Sequence, residues 1–146
     1  MPAKNVEVIG SFTIDKTKIK ELNYTIEYYK DNVKQDADTI EEKITVQILQ
    51  PDTLDVDKTK INTENKYKGY KFEKTEPEII PDKINTGEVI KVYYSIETYD
   101  LSYELDGGLL EEGKINPEKY NVNDEFTLNN PEKDGYTFIG WTGSNG

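Results

Sequence analysis

Tyr24-Thr-Ile-Glu-Tyr-Tyr29 decides the fold of this chain. Large apolar and polar side chains alternate with period two, the spacing of a β-strand that buries one face. Tyr24, Ile26 and Tyr28 share one face; Thr25, Glu27 and Tyr29 share the other. Lys30-Asp-Asn-Val33 follows, and Asp and Asn tolerate the positive φ of a tight hairpin turn. The same alternation recurs outward from this strand. Over Ile44–Leu49 the predicted inward set is Ile44, Val46 and Ile48. Over Val89–Ile96 it is Ile90, Val92, Tyr94 and Ile96. A shorter strand is predicted at Gly69–Glu73, with Tyr70 and Phe72 on one face.

Between these runs lies Pro51–Ile61, where Asp55 or Asp57 is placed to cap a short helix. Pro77–Gly87, with two prolines and Asn85-Thr-Gly87, reads as a loop. The order strand, strand, short helix, strand, strand over residues 21–97 is a compact β-grasp-like plan. A second unit, residues 98–146, opens with the alternating Leu101-Ser-Tyr-Glu-Leu105 and the turn Asp106-Gly-Gly108. Further strands are expected at Glu125–Leu128 and at Tyr136–Trp141, the latter opened by Asp134-Gly135. Three strands leave an incomplete sheet with an open edge. The expectation is a piece of a longer array of modules. Residues 1–20 stand apart: Val6–Ile14 is predicted as a strand left over from a preceding module, and residues 16–20 as a charged connector. The fold class expected is therefore β-rich α+β, with tandem small β-grasp-like modules of which the second is incomplete.

Composition narrows the chemistry. The 146 residues carry a net charge of −11, and all 18 basic residues are lysine. Such a chain makes a poor partner for nucleic acid, where phosphates demand clustered positive charge. Anionic membrane surfaces would repel it, and no apolar run approaches the ~18 residues of a membrane span. Cysteine and histidine are absent, which removes Cys/His zinc sites, cysteine nucleophiles and Ser-His triads. Only two alanines, Ala3 and Ala37, stand against 11 tyrosines, a balance that favours half-buried pleated surface over helix.

Tyr24–Tyr29, Lys68-Gly-Tyr-Lys-Phe72 and Gly87-Glu-Val-Ile-Lys-Val-Tyr-Tyr94 together resemble the MucBP-like (mucin-binding-protein) repeats of Gram-positive surface proteins. Asp31-Asn32 departs from the glycine more usual in the first turn. Leu105-Asp-Gly-Gly108 and Asn130–Trp141 resemble the Listeria–Bacteroides repeat, or internalin B-repeat-like module. Val6–Ile14 resembles the closing strand of such a repeat. The resemblance implies small β-grasp-type folds in cell-wall-attached or secreted proteins, hence an extracellular location. It implies adhesion or spacing at the bacterial surface, with neighbouring modules of the same chain and host mucin or another glycoprotein as partners. It also suggests that Val6–Ile14, from its own chain or a neighbouring one, covers the open strand of the second unit. That would be a route to strand-exchange self-association.

Each candidate site has a plainer reading beside the functional one. Asp52, Asp55 and Asp57 could seat a hard cation, but no Asp-x-Asp-x-Asp-Gly loop occurs. A helix cap with solvated acids is the weightier reading, and no metal or cofactor is expected. Glu41-Glu42 and Glu111-Glu112 are adjacent carboxylates, and neighbours on a strand point to opposite faces rather than flanking one bond. Trp141, the lone tryptophan, reads as a core plug. The better lead is aromatic. If Tyr28 and Tyr94 point inward, Tyr29 and Tyr93 point outward, and could line one solvated face able to stack on sugars or peptides. Cross-strand pairing that stabilises the sheet is the plainer reading. The expected function is a non-enzymatic repeat segment of a surface adhesin acting as stalk or spacer. The competing one is a carbohydrate- or peptide-binding module using those tyrosines.

Overall fold

The computed structural model describes residues 3–143; Met1, Pro2 and residues 144–146, the ends of the first and last predicted segments, lie outside it. Among the described residues the chain is β-rich, with helix confined to two single turns. Its main sheet is mixed. The long strand β1 (Ile19–Lys30) pairs in parallel with β7 (Val89–Ile96), from Thr25 opposite Val89 to Lys30 opposite Tyr94. On the other side of β1 run β2 (Val33–Lys34) and β3 (Ile40–Gln47), both antiparallel to it. A 3-10 turn at Asp36–Asp38 separates these two short partners. β5 (Tyr70–Glu76) pairs antiparallel with the outer side of β7, with an irregularity between Phe72 and Lys74.

The first hairpin forms as its sequence predicts. Asp31 and Asn32 take φ of 48° and 66°, and Lys30 pairs directly with Val33. Both central residues are left-handed, so the turn matches the twist of the flanking strands. β1 begins at Ile19, inside the predicted connector, and Lys20 is held there by the carboxylate of Asp52 at 2.6 Å.

One face of the sheet is covered by chain the sequence left largely without structure. β4 (Thr53–Asp55) lies within the predicted helix region, and β6 (Lys83–Asn85) within the predicted loop; they pair with each other, antiparallel. Each contributes its middle residue, Leu54 or Ile84, to the core. The helix shrinks to one 3-10 turn, Lys58–Lys60, capped by Asp57 through the Thr59 N–H at 3.1 Å. Asp55 sits in β4 and is not the cap. Leu54, Ile61 and Ile84 pack on Leu22, Tyr24, Ile26 and Tyr28 of β1 and on Ile90, Val92 and Tyr94 of β7.

Three of those buried side chains are tyrosines, and each spends its hydroxyl on the covering segment. Tyr24 Oη accepts from Asp57 N–H at 3.0 Å. Tyr28 Oη accepts from Asn62 N–H at 2.9 Å. Tyr94 donates to the Asn62 carbonyl at 2.8 Å. Main-chain groups that a longer helix would have paired internally are thus satisfied by the sheet.

Period two predicted the faces of β1 and β7 correctly but misplaced part of β3. Ile44 and Ile48 are exposed, while Ile40 and Val46 pack against the core. β3 is an edge strand, and the covering layer reaches only part of its inner face, so alternation there does not guarantee burial. Ile96 is half-buried, and Phe72 is 38% exposed.

The remaining chain departs further from expectation. Residues 3–14 form no strand, and Val8, Ile9 and Phe12 project into solvent. Leu101–Leu105, Glu125–Leu128 and Tyr136–Trp141 are not strands either. Among the described residues, strand pairing here is limited to β8 (Tyr99–Asp100) with β9 (Lys119–Tyr120), and to a two-bond bridge between Leu109 and Glu132. A strand exists only where a neighbouring backbone pairs with it, and among the described residues these runs have a single such cross-segment bond, from Leu101 N–H to the Glu118 carbonyl at 2.8 Å. Their alternation survives nonetheless: Leu101, Tyr103 and Leu105 are half-buried between exposed Ser102 and Glu104. Both predicted turns form. Asp106 and Gly107 take φ of 49° and 80°, and Tyr136 N–H bonds Lys133 across Asp134-Gly135.

This region touches the main sheet beside Gly69. Asn123 Nδ2 donates to Tyr70 Oη at 3.1 Å, and Val122 lies over Gly69. Gly69 has φ of +79°, and a Cβ there would come within 2.4 Å of Val122 Cβ. Both the backbone and the contact therefore demand glycine.

Two outcomes are expected. Tyr28→Phe leaves the Asn62 N–H without its acceptor and should cost about 1–3 kcal/mol, read as a lower urea midpoint at unchanged slope. Gly69→Ala should cost about 1–2 kcal/mol from the left-handed backbone alone. It should also speed amide exchange around Val122 relative to β1.

Candidate functional site

The face of the sheet opposite the core carries the aromatic pair. Alternation turns Tyr28 and Tyr94 inward, so Tyr29 and Tyr93 turn outward as predicted, and both are half-exposed. The parallel register of β1 and β7 sets them directly opposite each other. Their rings stack, with centroids 4.9 Å apart and planes inclined by 21°.

The pair is framed by charged side chains from three strands. Tyr29 donates to Glu27 Oε1 at 2.9 Å, and Tyr93 donates to Glu76 Oε2 at 3.0 Å. Lys74 Nζ stands 5.1 Å from the Tyr93 ring centre, and Lys91 Nζ 5.8 Å from that of Tyr29. Glu27 is itself bound by Lys34 at 2.7 Å, which holds its carboxyl below the ordinary range. The result is a short amphipathic ledge: two stacked rings, two carboxylates on their hydroxyls and lysine ammoniums over their faces. Such a ledge offers aromatic area and hydrogen-bonding groups to a sugar or an extended peptide. It also meets most of its own needs, because each ring already has a ring and a cation for company.

Alternation places Glu27 on the face of Tyr29 without assigning it a role, and Lys91, two residues before Tyr93, follows from the same alternation although it was not singled out. Lys74 and Glu76 could not be found that way, since they arrive only through the register of β5 on β7.

A second aromatic cluster lies at the sheet's end and was not anticipated. Tyr67 meets Tyr94, Tyr70 and Tyr28 edge to face at 5.2, 6.4 and 6.5 Å. Its hydroxyl donates to Asp38 Oδ2 at 2.6 Å, and burial followed by that carboxylate pushes its pKa well up. Lys30 stands over Tyr70 at 4.6 Å and Lys66 over Tyr28 at 4.4 Å. The cage is filled by the chain's own ammonium groups.

The other candidates separate. Asp52 pairs with Lys20, Asp55 with Lys83 at 3.8 Å, and Asp57 caps its turn. Among the described residues no three Asp or Glu side chains gather as a metal site would require. Glu41 and Glu42 diverge, as neighbours on a strand do: Glu42 holds Lys60 through both oxygens at 2.8 and 2.9 Å. Glu41 turns instead toward Asn23 and Lys43. Trp141 is half-buried, against Tyr103 and Phe138 at 5.8 and 5.2 Å, with Nε1 donating to Asn130 at 3.1 Å.

The ledge predicts its own alkaline limit. Burial, then the Glu76 carboxylate, raises the Tyr93 pKa from its ordinary 10 to about 12. A tyrosine raised on folding contributes stability fully below its unfolded pKa and loses it as pH climbs through the folded one. Stability should fall between pH 10 and about 12, and Glu76→Gln should move Tyr93 ionisation to lower pH in an ultraviolet titration.

Compared with protein-family models, curated proteins and solved structures, the chain matches none.

Proposed function

We propose that this chain is a non-enzymatic segment of an extracellular bacterial surface protein, in which small β-grasp-like modules are strung in series to space and stiffen a stalk. Residues 21–97 would be one module and residues 98–146 part of the next. The parallel pairing of β1 with β7, flanked by antiparallel neighbours over a short covering segment, is compatible with a β-grasp plan. The sequence resemblances set out above point to the same class of protein.

The observation that carries the reading is the contact at Gly69. On this reading the two units would be more than tethered: Val122 is seated against a position that only glycine can occupy, and Asn123 Nδ2 donates to Tyr70 Oη beside it. A spacer needs such a fixed joint, because loosely tethered units would transmit neither direction nor length. The acidic surface keeps closely spaced modules from associating indiscriminately.

A dedicated carbohydrate- or peptide-binding module is the second reading, favoured by the Tyr29–Tyr93 ledge. Purified mucin and a glycan array separate the two. The spacer reading expects no saturable binding. Saturable binding that disappears in Tyr29→Ser/Tyr93→Ser, with the thermal melt retained, would replace it with the binding module.

A further inference from the structure

Of the tyrosine pairs among the described residues, one is stacked. Tyr29 and Tyr93 lie with ring centres 4.9 Å apart and planes inclined by 21°. Tyr67 meets Tyr28, Tyr70 and Tyr94 edge to face, and Tyr99 is tilted by 39° against Tyr120 at 5.4 Å.

The stack follows from the register. β1 and β7 run parallel, with Tyr29 directly opposite Tyr93. Side chains lean along their strand, so in a parallel pair both rings lean the same way. Their hydroxyls bear this out: Tyr29 reaches Glu27 and Tyr93 reaches Glu76, and those two carboxylates stand on either side of Lys91. The Cε carbons beside the hydroxyls therefore lie at the same end of the stack, on adjoining rings. Tyr99 and Tyr120 sit on antiparallel strands and lean opposite ways.

Each hydroxyl also has a proton acceptor. Glu27 Oε1 lies 2.9 Å from Tyr29 Oη and Glu76 Oε2 lies 3.0 Å from Tyr93 Oη, within reach of direct proton transfer. Burial, then the partner carboxylate, raises both pKa values, so both phenols are protonated at neutral pH. An electron taken from either ring can thus leave together with its proton. The product is a neutral phenoxyl radical, which the nearby Lys74 and Lys91 ammonium groups do not oppose. Both rings are half-exposed, open to an external oxidant. The chain has no cysteine, so a disulfide cannot brace this sheet.

We propose that Tyr29 and Tyr93 form an oxidative crosslinking site, joined Cε to Cε as dityrosine by hydrogen peroxide acting through a haem peroxidase. Each ring gives up one electron while its hydroxyl proton passes to Glu27 or Glu76. The two radicals pair to form the carbon–carbon bond. Each joined Cε then releases its hydrogen as a proton and each oxygen regains one, which restores both phenols. The net loss is two electrons and two protons, and these reduce one hydrogen peroxide to two waters. The new bond ties β1 covalently to β7 and closes the chain between them into a loop, which restricts the unfolded state. The chemistry requires only the stacked pair and its carboxylates, whatever the parent protein does.

Treating dilute protein with a haem peroxidase and limiting hydrogen peroxide tests the site. The expected product is a single chain lighter by two hydrogens, with blue dityrosine emission and a bond between the fragments that hold Tyr29 and Tyr93. Its urea midpoint should lie above that of the untreated chain. Tyr29→Phe and Tyr93→Phe each remove one half-exposed hydroxyl, so they should melt close to the parent and fail to give the product. Tyr99→Phe should give it in full. Glu27→Gln/Glu76→Gln should give it several-fold more slowly, and an unchanged rate would overturn the role of the carboxylates. Oxidation without dityrosine inside one chain, bonds formed between chains alone, or a crosslink that survives Tyr29→Phe each overturns the proposal.

Discussion

The structure depends on where three buried hydroxyl groups find partners. Tyr24, Tyr28 and Tyr94 fill the centre of the core, and a tyrosine buried without a partner for its oxygen would be a liability there. Each instead meets the backbone of residues 57–62. The exchange is mutual. A single 3-10 turn cannot satisfy its own ends, and the sheet supplies what the turn lacks. Phenylalanine at the same positions would fill the space and leave the covering segment without anchors. The tyrosine-rich composition thus has a structural cause: it lets a small sheet hold a nearly helix-free layer.

That same economy explains what was legible in the sequence. β1 and β7 are central strands with one fully covered face, so alternation mapped directly onto burial at Tyr24, Ile26, Tyr28, Ile90, Val92 and Tyr94. Asp31-Asn32 announced its turn because few residue pairs accept two left-handed conformations. β4 and β6 were hidden because each is three residues long and offers a single inward side chain, too short for any period. Ile44 and Ile48 misled because alternation specifies a face and is silent on whether anything covers it.

The exposed ledge shows a similar division. That Tyr29 and Tyr93 face outward follows from local geometry. That they stack, and that Glu76 and Lys74 complete their surroundings, follows from a parallel register between strands some 60 residues apart in sequence and from a third strand laid beside them. In residues 98–143 the turns were legible and the strands were not. Turns are decided by the residues within them, whereas strands need a neighbour.

The parallel pairing of β1 and β7 has a mechanical consequence. A pull applied at Ile19 and Ile96 acts on adjacent strands in opposite directions along their common axis. The hydrogen bonds between Thr25–Lys30 and Val89–Tyr94 are then loaded sideways and together, in shear, rather than peeled apart one after another. An antiparallel hairpin at the same place would unzip from its open end under far less tension. Load entering this sheet along the chain therefore meets it in its strongest direction.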